Sequence, residues 1–103
     1  MLFKVRGNSM SPTLLDGDYV IGRRPSRRRP VRTGDVVIVD HRQFGRMVKR
    51  VCSIDADGAA RVSGDNASST SSVDIGLLTP SQVINLVLWR VSRNGVSRVV
   101  RAA

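Results

Sequence analysis

Apolar residues along the chain fall in short runs separated by Gly, Pro, Asp and Asn, a grain that suits strands and leaves little room for helix. The clearest run is 36–39 (VVIV), continuous and short, as expected of a central strand. Before it, residues 3–6 read as an extended lead-in and 19–23 (YVIGR) as a strand with apolar positions on both sides. Phe44-Gly45 reverses the chain into a strand over 47–54, so this strand and 36–39 form a predicted hairpin. Asp55 to Gly58 (DADG) is a further turn, and 60–63 (ARVS) a short strand. Pro80 to Gln82 start a single turn of helix before the apolar strand 83–89 (VINLVLW). Asn94-Gly95 marks a tight hairpin that pairs 87–91 with 96–100. The predicted class is all-β with little helix, without internal repeat or domain boundary.

Composition narrows this. At 103 residues the chain has room for one modest core, so a single domain over 1–103 is expected. Only four aromatics are present (Phe3, Tyr19, Phe44, Trp89), so aliphatic side chains must do most of the packing, and β-branched Val and Ile favour sheet. Trp89 is expected in the core or at its rim. Lys and Arg number 17 against 8 Asp and Glu, a net charge of +9 that draws the chain non-specifically toward anionic surfaces. Much of that charge sits in the Arg/Pro-rich stretch 23–34, expected to be a solvated loop. Contact of this loop with nucleic acid or acidic lipid stays open, although aromatic interleaving and any helix-turn-helix or RNP-like box are missing.

A single cysteine, Cys52, forbids an internal disulfide, and with a single histidine, His41, the soft ligands are too few for zinc. Neither a metal nor a cofactor is expected. Cys52 reads as a small buried hydrophobe and His41 as an exposed turn residue. No apolar stretch approaches the roughly 20 residues that span a bilayer, and Lys4 follows Met1-Leu2-Phe3 at once, so no signal peptide is read. As written the chain is expected to be cytoplasmic or otherwise soluble, or membrane-associated if it is a fragment of a longer anchored protein.

Two stretches carry candidate chemistry. In residues 4–22 (KVRGNSMSPTLLDGDYVIG), Ser9 sits in a tight polar turn. Gly7 and Asn8 tolerate positive φ, Pro12 fixes the backbone just after, and Gly17 marks a second turn. Such a serine is held exposed as a nucleophile, or is simply a turn residue. In 46–51 (RMVKRV), a lysine interrupts strand-like alternation. Met47, Lys49 and Val51 fall on one face, Arg46, Val48 and Arg50 on the other. A lysine in an apolar wall is costly when charged, so its pKa falls and it can serve as a general base. The alternative is an edge lysine whose amine snorkels to water.

A third stretch, 64–79 (GDNASSTSSVDIGLLT), is low in bulk and rich in hydroxyls. Taken in order, Gly7 to Leu14 (GNSMSPTL), Gly17-Asp18, Gly34 to Val37 (GDVV), Lys49-Arg50-Val51 and Gly64-Asp65-Asn66 resemble the boxes of the type I signal peptidase family. Within it the chain looks most like the short bacterial proteases that mature nickel-type superoxide dismutase. The likeness runs from about Val5 to Arg90 and leaves the C-terminal tail outside it.

The resemblance implies a small signal-peptidase-like or repressor-protease-like core of the β-barrel type. It also implies a Ser/Lys dyad serine endopeptidase, with Ser9 as nucleophile, Lys49 as general base and the Ser9 backbone N–H in the oxyanion hole. Many relatives add a hydroxyl two residues before the nucleophile, where this chain has Gly7. It further implies a structural pair of Arg50 with Asp65, and a hydroxyl touching the lysine, supplied by Ser69 or, in the other alignment of a loop one residue short, by Thr70. Charged positions further on in the family become Ser71 and Val73 here. The implied partner is a precursor protein or peptide bound in extended form, with small side chains such as alanine before the cut and an N-terminal leader or pro-segment removed. Two other functions fit the same residues: a self-cleaving repressor-type domain, and a basic nucleic-acid-binding β module in which Ser9 and Lys49 are structural.

Overall fold

The computed structural model describes residues 1–67 and 75–102. Their order is β1 (Leu2–Lys4), β2 (Tyr19–Arg23), β3 (Val36–His41), β4 (Gly45–Ile54), β5 (Ala60–Ser63), one 3-10 turn (Pro80–Gln82), β6 (Val83–Ser92) and β7 (Gly95–Arg98). The protein is therefore mainly β, as the pattern of short apolar runs predicts. β3 runs to His41, two residues past the apolar stretch, because Asp40 and His41 still pair with Arg46 and Gly45 across the hairpin. Thr79 and Gln82 cap the 3-10 turn, with Pro80 at its start where no N–H is needed.

All strands join one antiparallel sheet in the order β1-β2-β6-β3-β4-β5. β6 is its spine. One edge of β6 pairs with β2, and the other is shared between β3 near Val83 to Leu86 and β7 near Trp89 to Ser92. The Asn94-Gly95 hairpin thus forms where its turn chemistry places it, with Trp89 opposite Arg98 and Val91 opposite Val96. At the β2–β6 bulge a Cβ on Gly22 would lie 2.8 Å from the Leu86 carbonyl oxygen, so only glycine lets the strands approach this closely.

β3 is buried on both faces, as an unbroken VVIV run requires. Val37 and Val39 enter a cluster with Val51, Val62, Leu78 and Leu86. Val36 and Ile38 enter a second one with Val5, Met10, Leu14, Val20 and Val48. The second cluster fastens the turn that carries Ser9 to the sheet.

Two expectations from the sequence change. Cys52 is exposed, because a bulge between Val51 and Ser53 takes it out of the ladder, and its thiol meets the Ser63 hydroxyl at 3.0 Å. His41 is half-buried: its Nδ1 accepts the Gln43 and Phe44 amides at 2.9 and 3.1 Å, and its Nε2 donates to the Ile75 carbonyl at 2.9 Å. A turn histidine has become the pin that closes the β3–β4 hairpin. Trp89 lies at the rim, 38% exposed, with the Arg98 guanidinium 5.4 Å from its ring centre. Among the described residues no helix is long and apolar enough to cross a membrane, and no group of His, Cys, Asp and Glu could hold a metal ion.

Candidate functional site

Ser9 is carried by an irregular loop between β1 and β2 whose ends are tied down by backbone bonds. Val5 exchanges bonds with the 16–18 turn, its N–H donating to the Asp18 carbonyl and its carbonyl accepting from Gly17. Gly7 takes φ +79 and donates its N–H to Asp16 Oδ1 at 2.7 Å. From there the chain coils through Met10 and Leu14, both fully buried, which pull the loop onto the sheet. Ser9 itself stays half-buried at the surface of this plug.

Lys49 lies opposite Val37 in the β3–β4 ladder, on the same face as Met47 and Val51. Its residue exposure is 3%, so it does not snorkel. Burial pushes its amine below the ordinary lysine value of 10.5, and desolvation is the cause. None of the three ion pairs among the described residues involves Lys49.

Ser9 and Lys49 line the same cleft, about 240 Å3 in volume, with walls from Val5, Met10, Met47 and Val48 and exposed Arg6 and Arg46 at its lip. Among the described residues no carboxylate borders it. The cleft sits where β4 is free on one side: β5 pairs only with Arg50 to Ile54, and among the described residues nothing pairs with that edge of Gly45 to Lys49.

The third box meets the first. Arg50 Nε and Nη2 grip both oxygens of Asp65 at 3.1 and 2.7 Å, and the Thr13 hydroxyl donates to Asp65 Oδ2. Burial alone would raise the Asp65 pKa. The bonds from Arg50 and Thr13, with the Arg50 charge, outweigh it and hold the carboxyl below its ordinary value. The next residue, Asn66, donates its backbone N–H to the Ser9 carbonyl and its side-chain amide to the Asn8 carbonyl, each at 2.9 Å. The Ser9 peptide is thereby latched to the strand that holds Lys49. Among the described residues no hydrogen bond takes the Ser9 N–H.

Sequence reasoning assigned no role to Thr13 or Asn66, although both stand inside the quoted boxes. Nor did it foresee that Arg50 Nη1 donates to the Gly34 and Val100 carbonyls at 3.0 and 3.2 Å. The candidate hydroxyls Ser69 and Thr70, with Ser71 and Val73, lie outside the described residues.

An all-β scaffold presenting a turn serine and a buried lysine on one cleft fits a class of serine peptidases. The chain belongs to the Peptidase S24-like family, whose model matches residues 1–76. That span holds β1 to β5 with Ser9, Lys49, Arg50 and Asp65, and ends before β6. The likeness drawn from the sequence boxes is met at the level of a serine peptidase family of the repressor-protease-like kind. Among curated proteins and among solved structures, nothing matches the chain.

Proposed function

We propose that the chain is a Ser/Lys dyad endopeptidase that removes an N-terminal leader or pro-segment from a precursor protein. The observation that carries this is Lys49, 3% exposed in an apolar strand and lining the same cleft as Ser9. Below its lowered pKa the amine is charged and cannot accept a proton. Above it, the neutral amine takes the Ser9 Oγ proton as that oxygen attacks the substrate carbonyl. The tetrahedral oxyanion is held by the Ser9 N–H. As the peptide C–N bond breaks, the lysine returns its proton to the leaving amine, and water activated by the same lysine then hydrolyses the ester. A hydroxyl from Ser69, or from Thr70 in the other alignment, orients the amine in this scheme. With Gly7 in place of a hydroxyl residue the oxyanion hole has one donor fewer than many relatives, worth on the order of 100-fold in rate. Slow, selective turnover is the consequence.

The open edge of β4 supports extended binding of the substrate. The boxes shared with superoxide dismutase maturation proteases support a metalloenzyme precursor with small residues before the cut. The test is cleavage of such a precursor by the purified protein. Ser9→Ala and Lys49→Ala are each expected to lower the rate by about 10^4-fold or more while the fold is retained. Wild-type cleavage that persists in Ser9→Ala would sink the assignment.

The family match favours a second substrate, the protein itself, as in a self-cleaving repressor-type domain. Dilution separates the two. Self-cleavage within one chain has a concentration-independent half-life, followed by intact mass, whereas cleavage of a separate precursor scales with enzyme concentration.

A further inference from the structure

A second cavity of about 240 Å3 opens between the arginine-rich loop, the middle of β6 and the C-terminal tail. Among the described residues its lining brings together Arg29 from the arginine-rich loop and Arg98 and Arg101 from the C-terminal segment, with one carboxylate, Asp35. That carboxylate is fully engaged. Oδ1 takes Arg101 Nε at 2.7 Å and Oδ2 takes the Arg32 N–H at 2.8 Å. Arg101 meets Asp35 through Nε, which leaves its two terminal nitrogens for another acceptor. The Arg98 guanidinium is steadied 5.4 Å over the Trp89 ring, and Arg29 is fixed by reciprocal backbone bonds with Ser26 at 3.0 and 3.1 Å. Three cations against one carboxylate leave the hollow with an excess positive charge that matches a dianion.

We propose that this cavity binds a single phosphate group. Guanidinium forks match phosphate oxygens in geometry as well as charge. The volume lies below the roughly 300–1,000 Å3 of pockets that enclose drug-sized ligands, so a phosphate or a small phosphate monoester suits it better than a nucleotide. Nothing in the peptidase chemistry uses these residues, and the site stands or falls independently of it. Its wall nevertheless touches the candidate active site's support, because the Val100 carbonyl that borders it accepts from Arg50.

The test is calorimetric titration of inorganic phosphate into the intact protein at constant ionic strength. One saturable site is expected, with a Tm that rises with phosphate and not with chloride, and with slower hydrogen exchange at the Ala102 amide. Arg29→Gln and Arg98→Gln alter exposed side chains, so both variants should fold, and each should weaken the Kd about tenfold. A short oligonucleotide with and without a 5′-phosphate separates the sources. Binding that needs the terminal phosphate extends the site to a larger phosphate carrier. Equal, salt-sensitive binding of both forms that survives Arg98→Gln reports diffuse charge and overturns the proposal. So does a phosphate titration that fails to saturate, or one that the Arg29→Gln/Arg98→Gln double variant leaves unchanged.

Discussion

Lys49 and Asp65 both titrate below their ordinary values, the first through burial and the second through Arg50 and Thr13, and each makes a prediction about pH. Burial lowers the Lys49 pKa, so the rate of cleavage should climb with pH through a midpoint below 10.5. The profile of kcat/KM against pH checks this, and a rate that falls from acid to alkaline pH would contradict it. The same burial predicts a stability effect. Between the lowered folded value and 10.5 the unfolded chain binds more protons at this lysine than the folded one does, so its stability rises with pH across that window. Lys49→Met removes the titration, and its Tm should exceed the wild-type value near neutral pH by a margin that narrows as pH approaches 10.5. Asp65 gives the same sign at lower pH, because its charged form is favoured in the fold and not penalised. Its folded pKa is held below 3.8, so its contribution is present above about that pH and is lost as pH falls through the folded value. At 16% and 19% side-chain exposure the Arg50–Asp65 pair is partly buried. Asp65→Asn should therefore cost about 1–3 kcal/mol at neutral pH, measured by denaturant unfolding, and almost nothing in strong acid.

The β4–β5 pair shows what a local irregularity does to an inference built on alternation. Because the bulge turns Cys52 outward, its thiol should react completely with a disulfide reagent in the native protein, and Cys52→Ser should shift stability by no more than about 0.5 kcal/mol. A thiol that reacts only after unfolding would mean that the bulge is absent. Strand bounds and the face of the candidate lysine were nevertheless legible. The strands Tyr19–Arg23 and Ala60–Ser63 match their predicted bounds, and Lys49 lies on the apolar face that its spacing from Met47 and Val51 implied. Side-chain to backbone pairing was not legible. His41 was expected in water because its neighbours are polar, but its imidazole replaces missing partners for two amides of the hairpin turn and for the Ile75 carbonyl. The latch from Asn66 to Ser9 joins residues 57 positions apart, a contact that no local pattern encodes.

Across the whole molecule, the tail closes a circuit that begins at the Ser9 turn. Ser9 is latched by Asn66, beside Asp65. Asp65 is gripped by Arg50, and Arg50 donates to the carbonyls of Gly34 and Val100. Arg101 pairs with Asp35, and the Ala102 N–H donates to the Gly34 carbonyl at 3.0 Å. Gly34, at φ +91, faces the tail so closely that a Cβ would lie 2.4 Å from the Ala102 carbonyl oxygen. Its pairing with Val51 on the other side places this turn two residues from Lys49. The family match ends at residue 76, so the tail is a support that lies outside the matched region. The Arg101–Asp35 pair alone should contribute little, since Arg101 is 43% exposed and such pairs are worth about 0–1 kcal/mol. Removing residues 100–103 deletes that pair together with two hydrogen bonds, and should cost about 1–3 kcal/mol. At about 4–8 °C per kcal/mol for a domain of this size, the Tm should fall visibly in calorimetry. The circuit makes a sharper claim than the stability loss. Truncation should speed hydrogen exchange at the Asn66 amide, far from the cut in sequence, and lower kcat more than it raises KM, because what loosens is the placement of Ser9 against Lys49 and not the strand edge proposed to receive substrate. Unchanged exchange at Asn66 in a truncated chain that has lost Tm would show that the tail stabilises the sheet without reaching the site.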